Sequence, residues 1–248
     1  MVILALDASG TTASVALVSE HIVIAESSVT LADLKGTGRK THSETLMPMI
    51  DQLFEISGMC LKDIDYIACT CGPGSFTGLR IGAATAKGLS FASGKPLIAV
   101  PTLDAMAYTV KDIAPPSAWV VPMMDARRGQ VYSAIYRECS LLTEYLAEPV
   151  EVILSLLKEQ MVREGQNISP IIFIGDGAIC HKELIQGKMA ECETAGYTLS
   201  FLHRPRGASV GLKALEMAKA GQFADESEFS LLYIRKPQAQ RELEERQK

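Results

Sequence analysis

The 248-residue sequence lacks the features of a secreted, membrane-spanning or zinc-stapled protein. Its six cysteines include no Cys-x-x-Cys pair, which argues against both a disulfide scaffold and a zinc knuckle. No apolar run reaches the ~18 residues that a membrane span needs. The segment from Met1 to Asp7 lacks the basic start of a signal peptide. We therefore expect a soluble, cytoplasmic protein with no membrane partner.

An excess of basic charge is also absent. The chain has 24 Lys and Arg residues against 29 Asp and Glu residues, which gives a net charge of -5. Proteins that grip a phosphate backbone unaided usually carry a basic excess or a basic stripe. Direct binding of nucleic acid by this chain alone is therefore disfavoured.

The order of predicted elements occurs twice. The pattern of the first half predicts five strands, at Val2–Ala8, Ala13–Val18, Ile22–Val29, Tyr66–Cys71 and Leu97–Val100. It also predicts one helix from His42, before the fourth strand, and one from about Thr77, before the fifth. The second half repeats this order, with strands at Trp119–Met124, Val131–Tyr136, near Leu142–Leu146 and at Ile171–Ile174. A helix is predicted at Val152–Met161, before the last of these strands. Leu6-Asp7-Ala8 is echoed by Met124-Asp125-Ala126, which indicates an internal duplication.

Two α/β halves, each led by an Asp-tipped hairpin, are typical of the duplicated actin-like/sugar-kinase/Hsp70 fold, a ribonuclease-H-like fold with two lobes. We predict an N-terminal lobe over 1–103, a C-terminal lobe over 104–207 and a polar tail over 235–248. Pro101, Pro115 and Pro116 interrupt the pattern between the halves. The apolar helix predicted over 208–221 is expected to pack back on the first lobe.

The turn after the first strand is a candidate phosphate-binding loop. It offers a carboxylate, hydroxyls and backbone N–H groups, which suit a phosphate with a divalent ion, at Asp7, Ser9, Gly10, Thr11 and Thr12. Local hydrogen bonds that cap the turn are the alternative interpretation. The second hairpin turns at Arg127-Arg128-Gly129, where long side chains would crowd a nucleotide, so we do not expect hydrolysis by this chain alone.

The helix that begins at His42 is apolar over about half of its circumference, which is wider than the ~100° stripe that a sheet covers. The stretch Gly72–Gly82 leads into a second helix whose small residues would let another helix come close. Close packing within the same chain is the alternative. The surplus apolar surface predicts a contact outside this fold, carried by Leu46, Met47, Met49, Ile50, Leu53, Phe54 and Ile56.

Five segments together resemble the TsaB (YeaZ) family, over most of the chain from Val2 to about Arg235. They are Asp7-Ala-Ser, His42-Ser-Glu with Leu46 and Pro48, Gly72–Gly82, Met124–Tyr132 and Tyr233-Ile-Arg235. The Gly72–Gly82 segment and the segment around Asp125 are the specific parts of the resemblance.

The resemblance implies a required but non-catalytic subunit in the bacterial synthesis of threonylcarbamoyladenosine next to the tRNA anticodon. Its implied partners are the catalytic subunit TsaD and the P-loop ATPase TsaE, which would hold metal and ATP, so this chain is expected to need no cofactor. Transfer RNA would be reached only through the complex, and the isolated chain could form a homodimer.

The family dimerises through two helices that correspond here to His42–Ile56 and Thr77–Ala92. The implied contact residues are His42, Leu46, Met47, Met49, Ile50, Leu53, Phe54, Thr77, Arg80, Ile81, Gly82 and Thr85. On this basis we expect Ile50→Asp or Gly82→Leu to prevent partner binding without changing the fold.

TsaD-type chains hold a metal with two histidines and an aspartate, and the corresponding positions here hold other residues. Thr102 and Met106 stand at the histidine positions, and Ala208-Ser209 stands where the aspartate would begin a helix. We therefore expect no metal site and no catalytic residue. The alternative is an actin-like ATPase or small-molecule kinase that uses Asp7 and Asp125, and a protease ranks last.

Overall fold

A computed structural model describes residues 1–31, 40–165, 169–190 and 202–235, together with the backbone of 195–197. Its strands form two sheets, and helices cover both. The predicted polar tail lies, apart from Arg235, outside the described residues. Within the described ranges, no helix is at once long and apolar enough to cross a membrane.

The first half of the chain forms five strands and two long helices: β1 (Val2–Asp7), β2 (Thr12–Ser19), β3 (Val23–Thr30), α1 (His42–Ser57), β4 (Tyr66–Gly72), α2 (Phe76–Ser93) and β5 (Leu97–Pro101). The strand order is β3-β2-β1-β4-β5. The first three strands are antiparallel, and β1, β4 and β5 are parallel. The apolar runs of β1, β2 and β4 are buried on both faces, as expected for central strands of a covered sheet.

Both long helices have well-defined ends. In the capping box of α1, the Thr41 N–H donates to Glu44 Oε2 at 2.7 Å. Helix α2 begins after Ser75, whose Oγ accepts the Gly78 N–H at 3.3 Å. The helices therefore start at His42 and Phe76 because side chains satisfy their free backbone N–H groups.

The second half forms seven strands and three helices: β6 (Trp119–Asp125), β7 (Gln130–Ser133), β8 (Tyr136–Arg137), β9 (Ser140–Leu141), β10 (Leu146–Pro149), α4 (Val150–Arg163), β11 (Ile171–Ile174), α5 (Asp176–Cys180), α6 (Lys182–Lys188) and β12 (Ala195–Tyr197). The order β10-β7-β6-β11-β12 repeats the first sheet position by position, with the same strand directions. The predicted duplicated two-lobed fold is confirmed.

Two predicted strands of this half are corrected. The strand predicted over Val131–Tyr136 is interrupted between β7 and β8, because the Ile135 N–H donates to Thr143 Oγ1 at 3.1 Å instead of pairing with β6. The strand predicted near Leu142–Leu146 begins only at Leu146, where β10 pairs with β7. Two-residue strands β8 and β9 lie in the region between them.

Two further helices cross between the sheets: α3 (Thr102–Tyr108) and α7 (Gly207–Lys219). Helix α3 follows the first sheet but buries Leu103, Met106 and Ala107 against β6 and β11 of the second sheet. Helix α7 follows the second sheet but packs on the first, with Val210, Ala214, Leu215 and Ala218 against β1 and β2. The two sheets therefore share their covering helices. The domain limits, whose boundary between 103 and 104 falls inside α3, stay a prediction.

Helix α7 approaches the first sheet closely because two of its residues at the contact are glycines. A Cβ atom on Gly207 would lie 2.7 Å from the Val15 carbonyl carbon, and one on Gly211 would lie 2.5 Å from Val18 Cγ2. No real Cβ contact is that short, so neither position accepts a side chain without moving the helix.

We expect Gly211→Val to destabilise the protein by about 1–3 kcal/mol, because α7 must shift away from β2 and uncover the core beneath it. Urea unfolding followed by circular dichroism measures this change. Gly187→Ala in α6 is the matched control, since a Cβ atom there meets nothing within 4 Å. Equal stability of the Gly211→Val variant and the wild type would contradict the packing described here.

Candidate functional site

A cleft of about 800 Å³ lies between the two lobes. It opens where β1, β4, β6 and β11 end, so the loops after these strands line it, as at the switch points of other α/β sheets. The polar lining residues of the first lobe include Thr11 and Ser75, and those of the second include Asp125 and Asp176. Apolar side chains such as Leu31, Ile81 and Met124 supply the larger part of the lining, and the polar groups stand apart, with carboxylates on one side and hydroxyls on the other.

The Asp7 carboxylate does not reach this cleft. Asp7 is 0% exposed, and Ser9 donates to its Oδ1 from both the backbone N–H at 2.8 Å and the Oγ at 2.9 Å. Burial raises the pKa of Asp7 to about 6, although the hydrogen bonds from Ser9 oppose the shift. The local capping interpretation is the one the structure favours for Asp7.

The predicted phosphate loop is therefore only partly in place. Ser9, Gly10 and Thr11 line the cleft, whereas Asp7 and Thr12 are buried behind it. Arg204 of the other half reaches this turn, and its Nη1 donates to Thr11 Oγ1 at 3.2 Å. A magnesium ion in the cleft could not use Asp7 as a ligand without a rearrangement of the turn.

The second hairpin is more open. Asp125 is exposed, and its Oδ1 accepts the Arg127 N–H at 2.8 Å. The Asp125 N–H in turn donates to Asp176 Oδ1 at 3.1 Å, and burial raises the pKa of Asp176. Arg127 and Arg128 have positive φ angles of 65° and 56°, a conformation that costs energy for residues other than glycine. The two equivalent aspartates thus have different environments.

His42 lies at the start of α1 on the wall of the cleft. Its Nε2 atom is buried and makes no hydrogen bond to any described residue. Burial lowers the pKa of His42, while the backbone of Thr12 and Gly10 opposes the shift. A neutral imidazole in this position lines the cleft from the first turn of α1.

The apolar face of α1 lies largely inside the chain, which corrects part of the predicted contact surface. Four of the predicted contact residues, which are at most 8% exposed, pack into the core on the first sheet: Leu46, Met49, Ile50 and Leu53. The helix covers β2 and β3 and also meets α2, so it has two internal neighbours rather than one. Ile50→Asp would therefore disrupt the fold itself.

The glycines at the start of α2 also serve internal packing. A Cβ atom on Gly78 would lie 2.0 Å from the Ala8 carbonyl oxygen, and one on Gly82 would lie 3.3 Å from both Ala8 Cβ and Cys69 Sγ. Gly82 is therefore a corrected contact residue, because it seats α2 on the end of β1. Gly88, in contrast, has nothing within 4 Å of such an atom.

The outward surface of α1 and α2 nevertheless carries exposed apolar groups. The one on α2, Phe91, was not among the residues predicted from sequence periodicity. Phe91 is 79% exposed, Ile56 is 69% exposed and Met47 is 41% exposed. Ala84 and Gly88, also exposed, stand between Arg80 and Phe91 on α2. The i, i+4, i+7 spacing of 84, 88 and 91, opposite the buried stripe of Leu79, would have indicated this face.

The remaining predicted contact residues lie at the edge of this surface. Thr77 and Arg80 are exposed, and four others are partly buried: His42, Phe54, Ile81 and Thr85. Thr77, Ile81 and His42 also line the cleft. The surface and the cleft are therefore contiguous.

A Gly-x-Ser-x-Gly spacing at 207–211 resembles the elbow of serine hydrolases. Ser209 is 5% exposed, and its Oγ accepts a hydrogen bond from Thr109 Oγ1 at 2.8 Å. Its two glycines are those that seat α7 on β2. This spacing serves packing rather than a nucleophile.

Comparison with known proteins identifies relatives over nearly the whole chain. The model of the family described as "TsaD: tRNA N6-adenosine threonylcarbamoyltransferase" matches residues 36–241. The tRNA threonylcarbamoyladenosine biosynthesis protein TsaB of Bacillus subtilis is 31% identical over 221 residues, which is 89% of this chain and 90% of that protein.

Solved structures agree on the fold. YeaZ from Pseudomonas aeruginosa has a TM-score of 0.71 and 24% identity, with 94% of this chain and 100% of that chain covered. The ROK hexokinase of Thermus thermophilus has a TM-score of 0.51 and 11% identity, with 89% of this chain and 100% of that chain covered. At these identities the likeness concerns the fold alone.

Asp7→Asn tests the buried carboxylate. Because the pKa of Asp7 is raised in the folded state, the neutral form contributes stability that is present at low pH and lost as pH rises from about 4 to about 6. An amide keeps the acceptor for the Ser9 N–H without the charge, so the variant should gain up to about 3 kcal/mol over the wild type at pH 7.5 and little at pH 4.

Thermal and urea unfolding across this pH range measure the difference. Asp112→Asn, at an exposed position, is the matched control. A difference between Asp7→Asn and the wild type that does not change with pH would contradict the assigned environment.

Proposed function

The chain belongs to the TsaB family, and from this premise we propose that it is a non-catalytic subunit that binds a TsaD-type threonylcarbamoyltransferase and supports threonylcarbamoyl modification of the adenosine next to the tRNA anticodon. The observation that carries the proposal is the 31% identity to TsaB over 89% of the chain. Biosynthesis of threonylcarbamoyladenosine is the process that the relative's name states.

The residues in place of TsaD-type metal ligands support the non-catalytic role. Thr102 is 0% exposed and Met106 is 2% exposed, and Met106 belongs to the core between α3 and the second sheet. Helix α7 begins with Gly207-Ala208-Ser209, which carries no carboxylate. A neutral hydroxyl and a thioether are poor ligands for a divalent iron or zinc ion. Metal and ATP are therefore assigned to the partner subunits.

A surface on the outer side of α1 and α2 supports the binding role, and we call it the docking face. It consists of Met47, Thr77, Arg80, Ala84, Gly88 and Phe91, with His42, Phe54, Ile81 and Thr85 at its edges. Exposed large apolar side chains beside small residues suit the close packing of a partner helix. The predicted contact residues that are buried in the chain act indirectly, because they hold the two helices in place.

The further members of the proposed complex are inferred from the family to which the chain belongs. We propose that a TsaE-type P-loop ATPase joins the complex in the cytoplasm and that tRNA is contacted only indirectly, which agrees with the net charge of -5. In the absence of TsaD the same docking face would join two copies of the chain as a homodimer. Ser9, Gly10 and Thr11 remain a candidate phosphate loop next to this face.

Phe91→Asp tests the docking face. An exposed carboxylate there should leave the thermal melt within about 0.5 kcal/mol of the wild type, because Phe91 packs little within the chain. Placed in a desolvated interface, it should weaken binding to the TsaD-type subunit by at least tenfold, measured by calorimetry. Reconstituted tRNA modification should fall in parallel.

Val162→Asp on α4 is the matched control, since Val162 is 70% exposed on the other lobe. It should bind and support modification like the wild type. Ile50→Asp, by comparison, should lose its cooperative melt. Full tRNA modification in the absence of this chain would refute the proposed role.

A further inference from the structure

The two helices of the docking face carry opposite charge. Helix α1 contains the acids Glu44, Asp51 and Glu55, all exposed, and neither Lys nor Arg. Helix α2 contains Arg80 and Lys87 and no acid. In a protein with a net charge of -5, the α2 side of the face is therefore a local positive region. Such a charge pattern favours a partner that carries basic residues opposite α1 and acidic residues opposite α2.

Arg80 is held in a fixed orientation although it is exposed. Its guanidinium carbon lies 3.8 Å from the centre of the Phe76 ring. Its Nε donates to the Tyr233 hydroxyl at 3.2 Å, and the rings of Phe76 and Tyr233 are 5.2 Å apart. An arginine supported in this way loses less conformational freedom on binding than a free one.

Tyr233 is itself held by a C-terminal segment that joins both lobes. The Leu232 N–H donates to the Cys71 carbonyl oxygen at 2.7 Å, which ties the segment to the end of β4. Arg235 Nη1 donates to the Ala126 carbonyl oxygen at 2.8 Å, which ties it to the second hairpin. The phenol that supports Arg80 therefore has a fixed backbone.

The guanidinium of Arg80 has no acidic partner in the described part of the chain. No Asp or Glu oxygen of the described residues lies within 4.0 Å of Arg80, whereas Arg137 and Arg206 each pair with a glutamate. The Nη groups of Arg80 are thus available to a partner on the docking face. A bidentate pair with a carboxylate is the interaction that suits them.

We propose that Arg80 pairs with a carboxylate on the TsaD-type partner, and that Tyr233 is a positioning residue that orients Arg80 for this contact. The proposal rests on the proposed function and adds to it the chemistry that the partner must present opposite α2. It also assigns the C-terminal segment 231–235 to the docking face.

Binding of the full-length chain to its TsaD-type partner at 50 mM and 300 mM NaCl tests the proposal. Arg80→Glu should weaken binding by 10- to 100-fold at 50 mM NaCl and reduce the dependence of the affinity on salt. Arg80→Lys should retain the salt dependence but lose several-fold in affinity, because lysine lacks the bidentate geometry. Tyr233→Phe should lose two- to fivefold and keep the salt dependence.

Arg163→Glu on α4 is the matched control, since it makes the same charge change at an exposed site on the other lobe. Its affinity should equal that of the wild type. If Arg80→Glu melts early, Arg80→Gln replaces it, with the same expected loss of salt dependence.

Each outcome separates this inference from the proposed function. Wild-type binding by Arg80→Glu, combined with weak binding by Phe91→Asp, would overturn the ionic contact and leave the docking face intact. Wild-type binding by both variants would overturn the docking face as well. If Arg80→Glu abolished self-association in sedimentation experiments but not partner binding, the occupant would be a second copy, and the proposal would fall.

Discussion

The packing of α7 on the first sheet and of α3 on the second is the constraint on which the rest of the structure depends. Helix α7 follows the second sheet and covers the first, and α3 follows the first sheet and packs between the two sheets, so neither sheet has both faces buried by its own half. Gly207 and Gly211 bring the α7 backbone close to Val15 and Val18. Because both sheets are held by the shared helices, the loops at their ends meet in one cleft.

Within that cleft the two halves of the duplication have diverged. Asp7 and Asp125 are equivalent in topology, but Asp7 is sealed by Ser9 and Asp125 is exposed at a hairpin with two arginines of positive φ. A nucleotide site of the kind found between such lobes would need both turns to approach phosphate. The sealed carboxylate and the bulky second turn agree with the proposed non-catalytic role of this chain.

The contrast between the two long helices shows why an apolar helix face is ambiguous in sequence. The wide apolar arc of α1 is explained by two internal neighbours, the first sheet and α2, so its leucines and isoleucines are core residues. The exposed apolar residues lie elsewhere, at Ile56 and on the outward stripe of α2 that ends at Phe91. Arg80 then gives this stripe a charge that the C-terminal segment holds in position. The proposed docking face and the cleft are thus built from the same elements.

The sequence by itself determined the order of the main strands and helices of each half and the duplication, but not the short elements α3, α5, α6, β8, β9 and β12. These features follow from short-range periodicity, turn residues and side-chain chemistry, all of which are local. Only the tertiary structure decided which residues face inward, because the same apolar stripe on α1 could cover a sheet, a neighbouring helix or a partner. The burial of Asp7, the role of Gly82 and the support of Arg80 by Tyr233 depend on contacts between distant segments, and such contacts leave no periodic signal along the chain.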